Sequence, residues 1–598
     1  MNFSSSSMAG LKEVGLPGRE ALREALTNCT DPLRAIEEFQ EENAILLPSL
    51  RPMLSLLDIH GVRRLDFHTS LRDKLKGHLM RQIETLAKQE GHEKERKLKN
   101  MLERSFPYIK DPALRPVVMC ILKNVKSMDE KYIKLLVSDK SLYKECDIQV
   151  KRQIWHDNKD LFAEEVLPLL SQYVSEKEEA LAGLAASVAG ESPSSFFGPT
   201  PKQRRQGAVL QRLLAMVDRS LVLYKMVVQF ARNRFLRTQN AHYCTLRVEL
   251  LMALHDLEIQ EITAKDRSHK FAWCLDACIR EKSMDDKRSR ELQSILDVKR
   301  GQEELLCDLA MTLCDPYAIN FLGQSALKSM THLIKVEGMP RDNHFLVLLL
   351  RMLALGMEAW TMLNTENYTE PKLDVQLFTK FLPSLMCLMV DDQLRKRDSR
   401  TNSQDDQGSA NANTDYSGPV PETFQAYVQG NPLASVLAVF YVLHVARQRD
   451  RTGLLRVLGT LATAEGRRAY RDPFLHTLVG HLTRMADHFA REDFCMVIFD
   501  DFFLRGLRSS APKGNRHAES TRITAKHLMR LLWHVHAKLP PARLNGLVKK
   551  LQPFAQTSEV LKSAYKGLLE KIKYVPPEAA GRGSANPALP SSPALTSI

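Results

Sequence analysis

The sequence predicts an all-α protein, a HEAT- or armadillo-like α-solenoid of stacked antiparallel helix pairs, and three observations support this fold class. Residue types that favour helices are abundant, whereas aromatic residues make up only 7% of the 598 residues. Apolar residues recur at steps of three and four, which places them on one face of successive helices. Breakers separate these helices at short intervals, so each pair is expected to bury its apolar face only against its neighbours.

The first part of the chain is predicted to be a helical block over 10–182. The preceding residues 1–9 are Ser-rich and patternless, which predicts disorder. Asp31 and Pro32 are typical of a helix N-cap and first helical position. The small and polar segment 183–201 is predicted to be a linker or exposed loop.

A central helical block is predicted over 202–394. Apolar residues from Leu210 to Phe235 alternate steps of four and three, which predicts one long helix. Two strongly apolar helices, over 345–363 and 375–390, are typical of helices packed inside larger helical assemblies. The Ser-, Asn-, Asp- and Gly-rich segment 395–422 is predicted to be a disordered linker.

The last part of the chain is predicted to be a basic helical block over 423–574, in which helices of about a dozen to twenty residues alternate with breakers such as Pro540 and Pro553. The Pro-, Ala- and Ser-rich tail 575–598 is predicted to be disordered.

Composition and apolar runs indicate a soluble intracellular protein. The N-terminus lacks the basic and apolar regions of a signal peptide. The longest apolar runs, 345–357 and 436–446, are shorter than the about 20 residues needed to span a bilayer. The ten Cys residues show no paired framework, which indicates reduced thiols in the cytosol or nucleus.

The formal net charge of +13 is concentrated in two segments. Nine Lys or Arg residues accompany one Asp in 202–237, and fifteen accompany three Glu residues in 505–573. Such segments are expected of a surface that contacts phosphates, and a solvated helix face explains them equally well. On charge alone, the candidate nucleic-acid contacts are Arg204, Arg205, Arg212, Arg219, Arg516, Arg522, Lys526, Arg530, Lys549 and Lys550.

No residue pattern indicates catalysis, and we predict no enzyme, cofactor or metal site. Phosphate loops of the G-x-x-x-x-G-K-[ST] type, H-E-x-x-H and C-x-x-C are absent. Three looser clusters are interpreted as structural: Cys274 with Cys278, the histidines 476, 481 and 488, and the group His242, Cys244 and His255. In the last group, helical rise would separate Cys244 from His255 by about 16 Å, too far for proton transfer.

Longer segments in a fixed order closely resemble the B subunits of negative elongation factor complexes. They are 26–30, 116–120, 150–155 (VKRQIW), 242–247 (HYCTLR), 254–257, 273–281 (WCLDACIRE), 353–356, 441–444 and 492–495. The resemblance covers roughly Leu11 to Lys573. The chain departs from it before Met8, in 395–422 and after Tyr574.

The resemblance implies a nuclear, non-enzymatic scaffold without a small-molecule substrate or membrane. Such a subunit bridges the C (or D) subunit to the E subunit, and the complex pauses RNA polymerase II near promoters together with the DRB-sensitivity-inducing factor. The B and E subunits are associated with nascent single-stranded RNA. The basic run Arg395–Arg397 is a weak candidate nuclear localisation element. The alternative hypothesis, from fold and charge, is a helical-repeat adaptor or transport factor that recognises acidic peptides.

Overall fold

The fold is helical throughout the part of the chain that the structure describes. The computed structural model describes residues 30, 34, 38, 64–89, 92–182, 201–297, 303–405, 420–463, 472–508 and 515–573. In these residues the chain forms helices and turns and no β-strand, which confirms the all-α prediction. The chain divides into two compact units, 1–161 and 162–598, and the boundary along the chain falls within Lys159–Ala182. The division into three blocks stays a prediction.

The first unit contains helices α1 to α6 and the beginning of α7. They are Arg64–Lys88, His92–Ser105, Arg115–Asn124, Glu130–Ser138, Lys140–Glu145, Ile148–Asp157 and Lys159–Ala182. Asp139 and Asp147 cap α5 and α6, because their carboxylates accept hydrogen bonds from the first backbone N–H groups of each helix. The Trp155 indole donates to the Tyr143 hydroxyl at 2.8 Å inside this unit.

The first half of the second unit contains helices α8 to α15. They are Ala208–Val217, Leu221–Thr238, His242–Asp256, His269–Glu281, Asp286–Asp297, Glu303–Cys314, Pro316–Lys335 and His344–Thr365. The prediction of one long helix from Leu210 to Phe235 is wrong, because the helix is broken at Asp218, where φ is 40°. The Ser220 hydroxyl then accepts a hydrogen bond from Leu223 N and caps α9.

The second half contains helices α16 to α23. They are Leu382–Asp405, Glu422–Gly430, Pro432–Arg447, Arg451–Thr463, Asp472–Thr483, Asn515–Val535, Pro541–Ala555 and Glu559–Lys573. Two π-helical segments, Leu377–Phe381 and Met496–Leu504, interrupt the regular helices. Helices close in sequence pack against one another, as in an all-α solenoid. A HEAT- or armadillo-like repeat geometry stays a prediction.

The hydrophobic core of the second unit continues from Phe271 to Leu568, across the predicted central and C-terminal blocks. Two glycines allow close helix approaches in this core. A Cβ atom on Gly356 of α15 would lie 2.5 Å from the backbone oxygen of Leu313 in α13. A Cβ atom on Gly323 of α14 would lie 2.2 Å from ring atoms of Phe440 in α18. The contact between Gly323 and Phe440 joins helices from the two sides of the predicted linker.

The predicted linker 395–422 is partly helical. Helix α16 continues through Asp405, and α17 begins at Glu422. At the point where α16 enters the predicted linker, Arg395 pairs with Asp392 one turn earlier. Residues 406–419 lie outside the described residues, as do the predicted disordered segments 1–9 and 575–598. Of the predicted loop 183–201, only Pro201 is described, and it begins the short helix Pro201–Arg204.

One helix in the described residues, α15, is long and apolar enough to cross a membrane. Two bent helix pairs, 304–335 and 422–447, would raise the number to three if each pair formed one span. We expected every apolar run to be too short to span a bilayer, and this expectation is wrong for α15. The helix continues beyond the apolar run 345–357 and has 22 residues in total. In the structure, 67% of its most apolar window is buried inside the protein.

Candidate nucleic-acid interface

The first two candidate contacts, Arg204 and Arg205, point into the protein. The side chain of Arg204 is 6% exposed, lies 3.2 Å from the Glu249 carboxylate and stacks 3.5 Å from the centroid of the Tyr317 ring. Arg205 pairs with Asp256 at 2.6 Å and also with the buried Asp276. Both guanidinium groups are enclosed by protein acids, so the structure corrects their assignment as phosphate contacts.

Arg204 belongs to a buried polar cluster around helix α10. Glu249 of this helix accepts a hydrogen bond from the Tyr173 hydroxyl of α7. Asp315, the N-cap of α14, accepts from the Thr245 hydroxyl at 2.8 Å. Burial raises the pKa of Asp315 to about 6, against the opposing effect of Arg204. The cluster therefore joins helices of the second unit internally.

Arg247, also on α10, forms a second buried charge cluster. Its side chain is 1% exposed and lies 3.1 Å from Asp308 and 2.9 Å from the Ser268 hydroxyl. Burial lowers the pKa of the guanidinium, but Asp308 and Asp266 outweigh burial and raise it above its ordinary value. Sequence reasoning missed this residue. The available signal was the position of Arg247 and Glu249 within the otherwise apolar run 246–254.

Arg212 and Arg219 are exposed, in agreement with a surface role. Arg219 lies 3.3 Å from Glu261, and both side chains are accessible. Lys225 and Arg237 are further exposed bases on α9. This part of the basic segment therefore keeps accessible positive charge, although Arg204 and Arg205 do not contribute to it.

Of the three candidate nucleic-acid contacts with described side chains on helix α21, two are accessible to solvent and one is buried. Arg522 is exposed, and Lys526, one turn later, is half-buried. Arg530 is 3% exposed and donates to the backbone oxygen of His476 at 3.0 Å. Arg530 therefore stabilises the packing of α21 on α20, and its assignment as a phosphate contact is also corrected. The Arg516 side chain lies outside the described residues.

Helices α22 and α23, which pack against each other and against α21, carry exposed bases. Lys549 and Lys550 are both exposed, and Lys550 lies 3.9 Å from Asp500. Arg543, by contrast, is held by Glu492 and Asp500. The candidate set omitted further exposed bases on α23, which are Lys562, Lys566, Lys571 and Lys573. Their positions off the apolar stripe could have identified them.

Aromatic residues that could stack on bases lie mostly in the core. Tyr224 and Phe235 are buried, as their helical spacing indicated. Trp533 and Tyr565 are half-buried. The ammonium of Lys571 lies 5.7 Å from the centroid of the Trp533 ring, within the range of a cation–π contact. Trp533 therefore lies beside one exposed base of α23.

The clusters weighed for metal binding or catalysis are also in the interior. Cys274 and Cys278 are buried, and so are His476 and His481. His242–Asp256 is one continuous helix, which keeps Cys244 and His255 three turns apart. Within the residues that the structure describes, no group of three or more His, Cys, Asp or Glu side chains could hold a metal ion.

Comparison with known proteins identifies relatives along nearly the whole chain. The family model "Cofactor of BRCA1 (COBRA1)" matches residues 112–463. Negative elongation factor B from Drosophila melanogaster is 54% identical over 564 residues, which cover 94% of this chain and 92% of that protein. Negative elongation factor B from Mus musculus is 46% identical over 598 residues, with 99% of this chain and 100% of that protein covered. The Homo sapiens protein of the same name is 46% identical over 594 residues, or 98% and 99%.

Proposed function

Because this chain belongs to the negative elongation factor B family, we propose that it is a non-enzymatic scaffold subunit of a negative elongation factor complex. The observation that carries the proposal is similarity over both compact units, rather than over one shared module. The proposed role is negative regulation of transcription elongation in the nucleus. There the complex would act with RNA polymerase II and the DRB-sensitivity-inducing factor in promoter-proximal pausing.

The scaffold part of the proposal is that the chain bridges a C- or D-type subunit and an E-type subunit. Helices packed side by side present extended lateral surfaces, which suit simultaneous contact with several partners. Large apolar side chains are exposed on the second unit at Val375 (72%), Met496 (50%) and Val560 (58%). Partner subunits would remove such side chains from water. Cross-linking mass spectrometry of the reconstituted complex tests this bridging role, which fails if cross-links to both partners are absent.

The RNA part of the proposal is that exposed bases contact the nascent transcript. After removal of the buried arginines, the proposed contacts are Arg212, Arg219, Arg516, Arg522, Lys526, Lys549 and Lys550. The support is electrostatic: α21 and α22 pack against each other and carry Arg522, Lys526, Lys549 and Lys550, which are exposed or half-buried. Single-stranded RNA bound by such a surface releases counterions, so its affinity depends strongly on salt.

Fluorescence anisotropy with a single-stranded RNA tests this surface, with and without an E-type partner. The test variant reverses Arg522, Lys526, Lys549 and Lys550 to Glu. A matched control reverses four exposed bases of the first unit, Lys110, Lys134, Lys140 and Lys144, and so makes the same change in net charge. We expect the test variant to bind at least tenfold more weakly than the control. Its slope of log affinity against log salt should be shallower by about 2 to 3, since each phosphate contact in a single strand contributes about 0.7.

Equal affinity and equal salt slope in the two variants would contradict an RNA site on α21 and α22. The same exposed bases also fit the alternative function, an adaptor for acidic peptides. Competition separates the two functions: if excess single-stranded RNA fails to displace an acidic peptide that requires these bases, the adaptor function is favoured.

A further inference from the structure

A six-residue sequence occurs twice in the chain, once in each compact unit. Lys126–Lys131 reads KSMDEK, and Lys282–Lys287 reads KSMDDK. The first copy leads into helix α4 and the second into α12. The two copies differ only in the acid at the fifth position.

Helix formation explains the Met and the Asp of this sequence. Met128 is buried, and Met284 packs against the core of the second unit. Asp129 is the N-cap residue of α4 by position, without a capping hydrogen bond from its side chain, whereas the Asp285 carboxylate accepts a hydrogen bond from Arg288 N at 2.7 Å. Both Asp residues directly precede the first residue of their helix.

Helix formation does not explain the two serines. Ser127 and Ser283 each lie two residues before the capping Asp, outside the position from which a serine caps a helix. Both serines are exposed. Among the described residues, neither hydroxyl makes a hydrogen bond. Each serine is instead followed by Asp at the second position and by Glu130 or Asp286 at the third.

We propose that Ser127 and Ser283 are phosphorylation sites for a serine kinase that selects acidic residues after the phosphoacceptor. In this reaction the serine Oγ attacks the γ-phosphorus of magnesium-bound ATP. The new P–O bond forms as the bond to ADP breaks, ADP leaves, and the hydroxyl proton passes to the catalytic base of the kinase. The carboxylates after each serine would face basic side chains of the kinase.

The surroundings of Ser127 have room and positive charge for the product. Ser127 lines an open cleft of about 320 Å³ together with Lys99 and Lys131. Lys99 is exposed and makes no ion pair with a described residue, whereas Lys131 lies 3.9 Å from Asp129 and 4.0 Å from Glu103. A phosphoserine adds a charge of about −1.5 to −2. The ammonium groups of Lys99 and Lys131 would attract the phosphate of phosphoserine 127, whereas the carboxylate of Glu103 would repel it.

The test uses the native full-length chain, magnesium ATP and casein kinase 2 as an acid-directed probe enzyme, with phosphopeptide mapping over time. We expect phosphate on Ser127 and Ser283, and its loss at each site in S127A and S283A. Glu130→Gln should slow modification of Ser127 at least tenfold and leave Ser283 unchanged. Asp286→Asn should do the reverse. These changes spare both capping Asp residues, so each site is the matched control for the other.

Ser175 provides a control for the backbone. It is exposed and is followed by Glu176 and Glu178, but it lies inside helix α7, which prevents the extended conformation that kinase clefts bind. We expect no phosphate there. The side chain of Ser403, which is followed by Asp405 and Asp406, lies outside the described residues. Phosphopeptide mapping distinguishes phosphate on Ser403 from phosphate on the two proposed sites.

The proposal is overturned if Ser127 and Ser283 stay unmodified while an acidic model peptide is phosphorylated. It is also overturned if they react no faster than Ser175, or if Glu130→Gln and Asp286→Asn have no effect.

Discussion

The close approach of α13 and α15 at Gly356 predicts a destabilising effect for the smallest possible substitution. In Gly356→Ala, the new Cβ would lie 2.5 Å from the oxygen and 2.7 Å from the carbon of the Leu313 carbonyl. Both atoms belong to the main chain, so no side-chain rotation relieves the contact. Overpacking of this kind costs about 1 to 3 kcal/mol, whereas Ala improves helix propensity by about 1 kcal/mol. We therefore expect a net loss of up to about 2 kcal/mol.

The matched control is Gly459→Ala in α19, where the added Cβ meets nothing within 4 Å. This variant should be more stable than the parent by up to about 1 kcal/mol. Urea unfolding followed by tryptophan fluorescence measures both changes, since Trp273, Trp360 and Trp533 lie in the second unit. The reasoning is refuted if Gly356→Ala is as stable as Gly459→Ala. It is also refuted if Leu313→Ala restores the loss, because the contact would then involve the side chain.

Three further predictions concern buried polar groups. Burial lowers the pKa of His481 to about 4, so the unfolded chain takes up the proton first as pH falls below 6.5. In urea unfolding, the stability of the parent relative to His481→Gln should therefore fall by about 2 kcal/mol between pH 7.5 and pH 5, and a pH-independent difference would contradict this. Arg247→Met removes the buried guanidinium that lies beside Asp308 and should cost about 3 to 5 kcal/mol in the same assay, with partial recovery on adding Asp308→Asn. Full stability of the single variant would contradict this. Tyr143→Phe removes the hydroxyl that accepts the hydrogen bond of the Trp155 indole, and this should reduce stability by about 1 to 3 kcal/mol. We expect faster amide hydrogen exchange in Ile148–Asp157, and unchanged exchange would contradict the prediction.

Periodicity predicted the helical class because apolar spacing is a local property of the sequence. Apolar periodicity identified the apolar helices of the second unit. It did not reveal the break at Asp218, and it therefore predicted one helix from Leu210 to Phe235. The stripe continues in register on both sides of that break, since α8 and α9 both bury apolar faces. The local signal was Ser220, a capping residue whose hydroxyl accepts from the third residue beyond it.

The candidate interface was only partly predictable, because charge counting does not find distant partners. Arg205 pairs with Asp256 and Asp276, which lie 51 and 71 residues further along the chain. Arg530 donates to His476, which lies 54 residues before it. A count of local charges treats these arginines as surface bases. Lys549 and Lys550, near the end of the described chain, are exposed, as a count of local charges assumes, and their role as nucleic-acid contacts stays a prediction.

The contact between Gly323 and the Phe440 ring has a practical consequence for mapping binding partners by deletion. A fragment that ends anywhere in 395–422 leaves α14 without Phe440 and exposes the apolar face of α18 in the other piece. Either half would then attract hydrophobic surfaces that the intact subunit never meets. Point substitutions on the outer faces of helices preserve this joint, and they are therefore the safer way to assign partners to regions of the chain.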